Sequence, residues 1–442
     1  MLPLISLWGP SSRHEERRRP TLQEARTDAK LEQSDLLHLR PMLDLASVEA
    51  AARAIEDAVR ISPCAYSERL SQLTNTQLFF KLENLQLTGS FKERGACNKL
   101  LSLTAHERTQ GIVAASAGNH AQGVAYHAKR LGIDATIVMP ESTPLVKVSE
   151  TRRHGGQVIL FGHSYDEAYE EAQRIVARDG RAYIHAFDDP AIIAGQGTIG
   201  LELVQQVPKL DAIIVAIGGG GLAGGIALAA KSLKPSLRVI GVEAQSMPTL
   251  IKAREAGAPV RIARQKTLAD GIAVGKVGQH TYPLLNRYLD DLVLVDDEEV
   301  AEAILLMLEA EKTVAEGAGA APLAALRHRD LGLDGKTVAL VVGGGNIDVN
   351  LISRIIERGL TKSGRTMHLH ATLEDVPGTL ARLIGLLGEQ NANILQVEHD
   401  RAKSDELGQV FVEVVAETRS FGHIESIVQA LNLAGFKNLK VS

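Results

Sequence analysis

Six short apolar runs, separated by amphipathic segments, restrict the fold of this chain more than any other feature. They are GIVAA (111–115), ATIVM (135–139), QVILF (157–161), AIIVAIG (212–218), RVIGVE (238–243) and TVALVVG (337–343). The runs are continuously apolar rather than alternating with polar residues. That is how strands buried on both faces read, and such strands occur where helices cover a parallel sheet. Segments 119–131 and 164–178 have the length and polarity of the covering helices. Residues 42–358 are therefore expected to form an α/β core with parallel sheets.

The pattern changes at both ends. Residues 359–365, containing TKSGR, read as a linker. Beyond it the order is strand (367–373), helix (377–390), strand (393–400), strand (408–416), helix (421–434) and strand (436–441), a separate βαββαβ unit spanning 366–442. Residues 1–41 are polar, with HEERRRP at 14–20, and read as a disordered extension. The acids Glu15, Glu16, Glu24, Asp28 and Glu32 argue against a transit peptide. A helical apolar stripe begins with Leu45, Val48, Ala52 and Ile55, so Met42 is expected near the natural start.

Composition narrows the function classes. A chain of 442 residues with 45% hydrophobic content has material for two or three domains. Its 48 basic and 53 acidic residues are intermixed, for a net charge of −5, so no basic face offers itself to nucleic acid. Cys64 and Cys97 are too few for a disulfide framework or a cysteine-built zinc site. No run approaches the roughly 20 apolar residues that span a bilayer. A cytoplasmic protein acting on small molecules, and assembling as a homo-oligomeric dimer or tetramer, is expected.

Three motifs carry chemistry. In KLENLQLTGSFKERGA (81–96), Lys92 follows a strand-like LFFKLE segment and a turn containing Gly89 and Ser90. A Schiff-base lysine needs a depressed pKa and a fixed approach, which such a strand-to-helix turn supplies. In ASAGNHAQGVA (115–125), the small residues Ser116, Ala117 and Gly118 open backbone N–H groups to a carboxylate at a helix N-terminus. An ordinary capped turn is the alternative there. AIGGGGLAGGIA (216–227) is a strand, four glycines and a helix, suited to wrapping a phosphate. Taken alone it fits any phosphate-bearing cofactor, NAD included, or a close-packed turn.

In this order SFKERGA, SAGNHAQGVA, GGGGLAGG and GGNID (344–348) resemble the threonine dehydratase family of pyridoxal-phosphate enzymes. The resemblance implies fold type II, a tryptophan synthase β-like two-lobed core whose smaller lobe is inserted near residues 90–190. It implies pyridoxal 5'-phosphate as cofactor, attached to Lys92, and a catalytic group of Lys92, Ser90 and Glu316. Phe91, Asn119, Gly343 and the run Gly218, Gly219, Gly220, Gly221 and Leu222 would hold the cofactor. Asn119 would meet the ring oxygen and the glycine run the phosphate. Ser90, Ser116, Ala117, Gly118, Asn119 and His120 would surround the substrate carboxylate. The implied reaction is loss of water and ammonia from threonine, giving 2-oxobutanoate, with serine as a second substrate.

Two departures bear on the chemistry. Gly343 stands where the family usually places Ser or Cys opposite the ring nitrogen. Ala117 replaces the second proton donor of the related racemases, which disfavours racemisation. Glu243 alone survives of those enzymes' divalent-cation pair, leaving it a candidate ligand for a monovalent or divalent cation; otherwise no metal site is expected. The C-terminal unit resembles an ACT domain through TLEDVPGTLARL (372–383) and NILQVEHDR (393–401). Asp375, Pro377, Gly378, Asn393 and Ile394 are its candidate effector residues, with isoleucine or valine as effector. Rival readings are dehydration of serine or 3-hydroxyaspartate, and a catalytically silent amino-acid sensor.

Overall fold

The computed structural model describes residues 43–404 and 406–441. The expectations for residues 1–41, and for Met42 as a start, lie outside the described residues. In chain order the strands of the α/β part are β1 (Cys64–Tyr66), β2 (Gln77–Leu82), β3 (Ile112–Ala115), β4 (Ala135–Met139), β5 (Gln157–Leu160), β6 (Ala182–Tyr183), β7 (Ala212–Ala216), β8 (Arg238–Ala244), β9 (Asp291–Val295) and β10 (Thr337–Val342).

They form two sheets. The larger has the order β1-β2-β10-β7-β8-β9. It is parallel throughout except for β1, which turns back antiparallel on β2. The smaller is parallel, with the order β5-β4-β3-β6. All six apolar runs are strands. Burial matches the continuous pattern in β3, β4, β7 and β10, where every residue is buried. QVILF departs from it: as β5 it is an edge strand, with Ile159 and Leu160 exposed. A continuous apolar run does not distinguish a central strand from an edge strand that leans on one helix.

Helix packing brings the sheets together. Helices Lys92–Leu101, Pro190–Gln206 and Gly221–Leu233 cross at glycines. A methyl group on Gly195 would come 2.6 Å from the Gly95 Cα, and one on Gly225 would come 2.4 Å from the Ile193 carbonyl oxygen. Such approaches exclude any side chain. The core is correspondingly divided: one apolar cluster on each face of the large sheet and another, built on Ala96, Leu100, Ile112, Ile137 and Ile192, in the small lobe.

The C-terminal unit is a four-stranded antiparallel sheet containing β11 (Thr366–Glu374), β12 (Asn393–Asp400), β13 (Gln409–Glu417) and β14 (Lys440–Val441), in the order β12-β13-β11-β14. Helices Thr379–Glu389 and Phe421–Leu433 cover one face around Leu369, Leu383, Val412 and Ile427. Of the stretch expected as linker, residues 359–362 belong to helix Val349–Lys362; only 363–365 lie between that helix and β11. Thr361 and Lys362 continue the helix because its amphipathic stripe does not end at Gly359.

Candidate active site

Two of the three chemical motifs lie at the carboxyl ends of parallel strands, Ser116 after β3 and Gly218 after β7, and Gly343 follows the carboxyl end of β10. Lys92 starts a helix a short turn beyond the end of β2. Crevices outside the carboxyl ends of parallel strands are the standard ligand positions of open α/β sheets.

The turn before Lys92 is pinned to the segment after β10. Ser90 and Gly344 form an antiparallel bridge, the Phe91 N–H donates to the Gly343 carbonyl at 2.9 Å, and the Gly345 N–H donates to the Gly89 carbonyl at 3.0 Å. Gly89 adopts φ +73° here, a left-handed conformation that glycine takes without cost. The Lys92 Nζ donates to the Ala186 carbonyl at 2.8 Å and lies 5.1 Å from the centre of the Phe91 ring. Removal from water pushes its pKa down to about 8, against the opposing pull of the Glu316 carboxylate. An amine shifted that far has an accessible neutral, nucleophilic form near neutral pH.

Behind Lys92 its helix is tied down by charge. Arg94 is buried and donates to Glu83 at 2.8 Å and to Glu202 at 2.5 Å, while buried Lys81 also reaches Glu202 at 2.5 Å. Burial alone would raise the Glu83 carboxyl, but the Arg94 guanidinium outweighs it and holds the group below its usual range. These four residues come from four separate elements, and nothing in the sequence signals that they meet.

Glu316 and Asn119 face each other: the Asn119 Nδ2 donates to the two Glu316 oxygens at 2.8 and 3.0 Å. Burial pushes the Glu316 carboxyl up to about 7, opposed by the Asn119 hydrogen bond and reinforced by the charge of Asp270. Asn119 opens helix Asn119–Arg130, which has no side-chain cap, and a methyl group on the preceding Gly118 would meet open space. First-turn N–H groups in that situation suit a carboxylate. The His120 Nε2–H donates to the Ile184 carbonyl, 3.0 Å away, and burial followed by the nearby Lys92 charge holds its pKa at about 3.

The glycine turn is bounded by one residue the motifs do not contain. A methyl group on Gly219 would come 2.3 Å from the Phe187 ring, and one on Gly221 would come 2.7 Å from the Phe187 carbonyl oxygen. Gly220 has φ +95° and precedes helix Gly221–Leu233, which has no side-chain cap, so the N–H groups of that first turn are left to an anion. Gly343 lies between Phe91 and Leu222: a methyl group there would be 3.3 Å from one and 3.7 Å from the other.

Two further buried polar atoms, Ser90 Oγ and His120 Nδ1, have no protein hydrogen-bond partner among the described residues. Uncompensated polar atoms at the core of a site, beside a desolvated lysine and an uncapped glycine turn, are what a phosphorylated aldehyde cofactor and its amino-acid substrate would satisfy. The residues present therefore fit pyridoxal phosphate.

Other sequence expectations resolve differently. Both oxygens of the Glu243 carboxylate accept backbone N–H groups, Leu250 at 2.6 Å and Ile251 at 3.1 Å. The carboxylate thus serves the first turn of helix Thr249–Ala256, and among the described residues no group of three or more His, Cys, Asp or Glu side chains is gathered to hold a metal ion. In the C-terminal unit the five effector candidates separate. Asp375, paired with Arg401 at 2.6 Å, and Gly378, with φ +93°, lie at one end of the sheet. Asn393, hydrogen-bonded to Glu417 at 2.7 Å, and Ile394 lie at the other.

Sequence reasoning missed segment 185–189. His185 Nδ1 accepts the Phe187 and Asp188 N–H groups, Asp188 accepts three from 279–281, and Asp189 caps helix Pro190–Gln206. The Asp-Pro pair signals that helix start. Nothing local signals that Ala186 meets Lys92.

Comparison with known proteins agrees with this geometry. The family model described as pyridoxal-phosphate dependent enzyme matches residues 55–344, and the ACT domain model matches 371–432. The chain is 47% identical over 397 residues to an L-threonine ammonia-lyase of Thermotoga maritima, covering 90% of this chain and 99% of that one. Processed threonine deaminase isoform 2 of Solanum lycopersicum superposes with TM-score 0.68 at 35% identity, over 71% of this chain and 86% of that one. Maize serine racemase gives the same TM-score, 0.68, at 33% identity, over 72% and 98%. With a desolvated lysine, an uncapped glycine turn and a carboxylate-sized loop converging at the strand ends, the chain belongs to the pyridoxal-phosphate-dependent enzymes and carries an ACT domain after its catalytic core.

Proposed function

We propose that this enzyme converts L-threonine to 2-oxobutanoate and ammonia, accepts L-serine less well, and is regulated by an amino acid at its ACT domain. The observation that carries the reading is Lys92: a lysine with pKa about 8, fixed between the Phe91 ring and the carbonyl of Ala186, whose neighbour Phe187 packs on the glycine turn.

Bound pyridoxal phosphate supplies an electron sink for the bond broken at the substrate α-carbon. The chain's residues do the rest. The N–H groups at Gly219, Gly220, Gly221 and Leu222 would hold the phosphate, and Phe91 and Leu222, which lie against Gly343, would line the place of the ring. Asn119 offers its N–H to the ring oxygen. The loop Ser116, Ala117 and Gly118, with Asn119 and His120, grips the substrate carboxylate and thereby aims the α-hydrogen. Lys92 in its neutral form takes that proton. Ser90, two residues before Lys92 and buried with a free hydroxyl, would carry a proton toward the departing hydroxide. Glu316, with pKa about 7, exchanges a proton with the cofactor side of the site. Loss of water, re-addition of water and release of ammonia balance threonine against 2-oxobutanoate.

Ala117 offers no proton to the second face of the α-carbon, so turnover is elimination rather than racemisation. Isoleucine or valine is the expected effector, held near Asp375, Pro377 and Gly378. The test is keto-acid release from threonine and from serine with added pyridoxal phosphate, with and without isoleucine. Faster 2-oxobutanoate release from threonine, altered by isoleucine, supports the reading. No keto acid from either substrate overturns it.

A further inference from the structure

A side-chain amide presents a donor at one end and an acceptor at the other, with nearly the same shape. Asn119 can serve the ring oxygen only if its NH2 end points that way, and nothing in its own backbone decides the matter. The structure supplies two neighbours that do, the Glu316 carboxylate on the donor side and Asn346 on the acceptor side. The Asn346 Nδ2 lies 2.8 Å from the Thr88 carbonyl and also 2.8 Å from the Asn119 Oδ1. A backbone carbonyl can only accept, so the Asn346 NH2 end is fixed by Thr88. Its other hydrogen then requires an acceptor from Asn119. The Asn119 NH2 end is left facing Glu316, at 2.8 and 3.0 Å.

Asn346 is itself held. It follows the segment paired to the turn before Lys92, and a methyl group on Gly89 would come 2.4 Å from the Asn346 Oδ1. Only glycine at 89 leaves room for this asparagine.

We propose that Asn346 is a positioning residue that fixes the carboxamide of Asn119 with its donor toward the cofactor, and so joins the Lys92 turn to the ring oxygen in one hydrogen-bonded chain. The proposal rests on the assignment of Asn119 under Proposed function. It acts through Asn119 and needs no contact of its own with cofactor or substrate.

Asn346→Asp keeps the shape and removes the donor. Facing two acceptors, the carboxylate turns the Asn119 amide around and puts an oxygen where the donor was. The readout is the pH midpoint at which the visible absorption of the bound cofactor titrates, without substrate. A donor lost from the ring oxygen leaves more negative charge there, so the midpoint should rise by about one unit. Asn119→Ala should raise it similarly, and the double variant should shift no further than Asn119→Ala alone, because both changes remove one interaction. Asn346→Ala, which removes the donor without adding charge, should shift the midpoint in the same direction by less.

A merely structural asparagine would lower the melting temperature and leave the midpoint in place. An unchanged midpoint in both Asn346 variants, or shifts that add in the double variant, overturns the proposal. So does loss of cofactor from both Asn346 variants while Asn119→Ala retains it. If the unaltered protein itself develops no visible band with pyridoxal phosphate, it is the functional reading that fails.

Discussion

At the scale of single residues, the site works by desolvation. Lys92 and Glu316 are both pushed toward neutrality by burial, one downward to about 8 and the other upward to about 7. Lys92→Ala is expected to lose the visible cofactor band and at least about a thousandfold in threonine turnover, because nucleophile and base vanish together; retention of both would remove Lys92 from the site. Glu316 also marks stability. Its folded pKa of about 7 exceeds its ordinary 4.5, so the folded state holds a proton that the unfolded chain has lost between those pH values. Stability therefore falls as pH rises through that window. Glu316→Gln keeps the Asn119 hydrogen bond and removes the titration. In the cofactor-free protein its stability relative to the unaltered chain should climb from pH 5 to 7, by up to about 3 kcal/mol, and then level off. Denaturant unfolding across that range would expose a flat difference if the group is ionised throughout. Lys92, Asn119 and the glycines were legible because each sits in a motif whose spacing has a chemical reason. Ala186 and Phe187 lie in no motif, and Asn346 lies in GGNID without a legible role, because what all three do depends on contacts between distant segments.

Elements carry the next part of the logic. Every strand expected from an apolar run is present, and the Ser116 loop, the glycine turn and the Gly343 segment leave the carboxyl ends of β3, β7 and β10. Strand β9, whose residues are mostly half-buried, and the three-residue β1 escaped notice because edge positions do not need a continuous buried run. The glycine turn shows how an element end becomes a site. Gly220 has φ +95°, and a methyl group there would meet Leu285 at 2.6 Å and Thr281 at 2.9 Å. Gly220→Ala should cost about 2 kcal/mol or more of stability, through strain and overlap together. It should also weaken cofactor binding at least about tenfold, since the N–H groups that follow are displaced. A variant that binds pyridoxal phosphate as tightly as the unaltered protein would show that the phosphate lies elsewhere.

At the scale of the whole molecule, the α/β part and the ACT unit are built on separate cores. The apolar cluster of the ACT unit, from Met367 to Phe436, shares no residue with the clusters of the α/β part. No described hydrogen bond or ion pair at Lys92, Asn119 or Glu316 reaches past Asn346. The two parts meet along helix Val349–Lys362, which runs on toward β11 and whose Arg358 and Lys362 both pair with Glu298; Arg365, just beyond it, pairs with Glu309. These pairs are substantially exposed, and exposed pairs contribute about 0–1 kcal/mol each. They orient more than they stabilise. A chain ending after Lys362 should therefore fold its catalytic part and release 2-oxobutanoate within about threefold of the full-length rate, because the atoms that make the site remain. Its response to isoleucine should vanish with the unit that binds it. Side-by-side keto-acid assays on the two chains decide the matter: a folded but inactive shortened chain would mean the ACT unit completes the site, and a shortened chain still sensitive to isoleucine would place the effector in the catalytic part. Coupling between sites is a difference in effector affinity between two states of the molecule. If the proposed effector coupling uses the helix that joins the two parts, Glu298→Gln in the full-length chain should alter the isoleucine response more than it alters the basal rate.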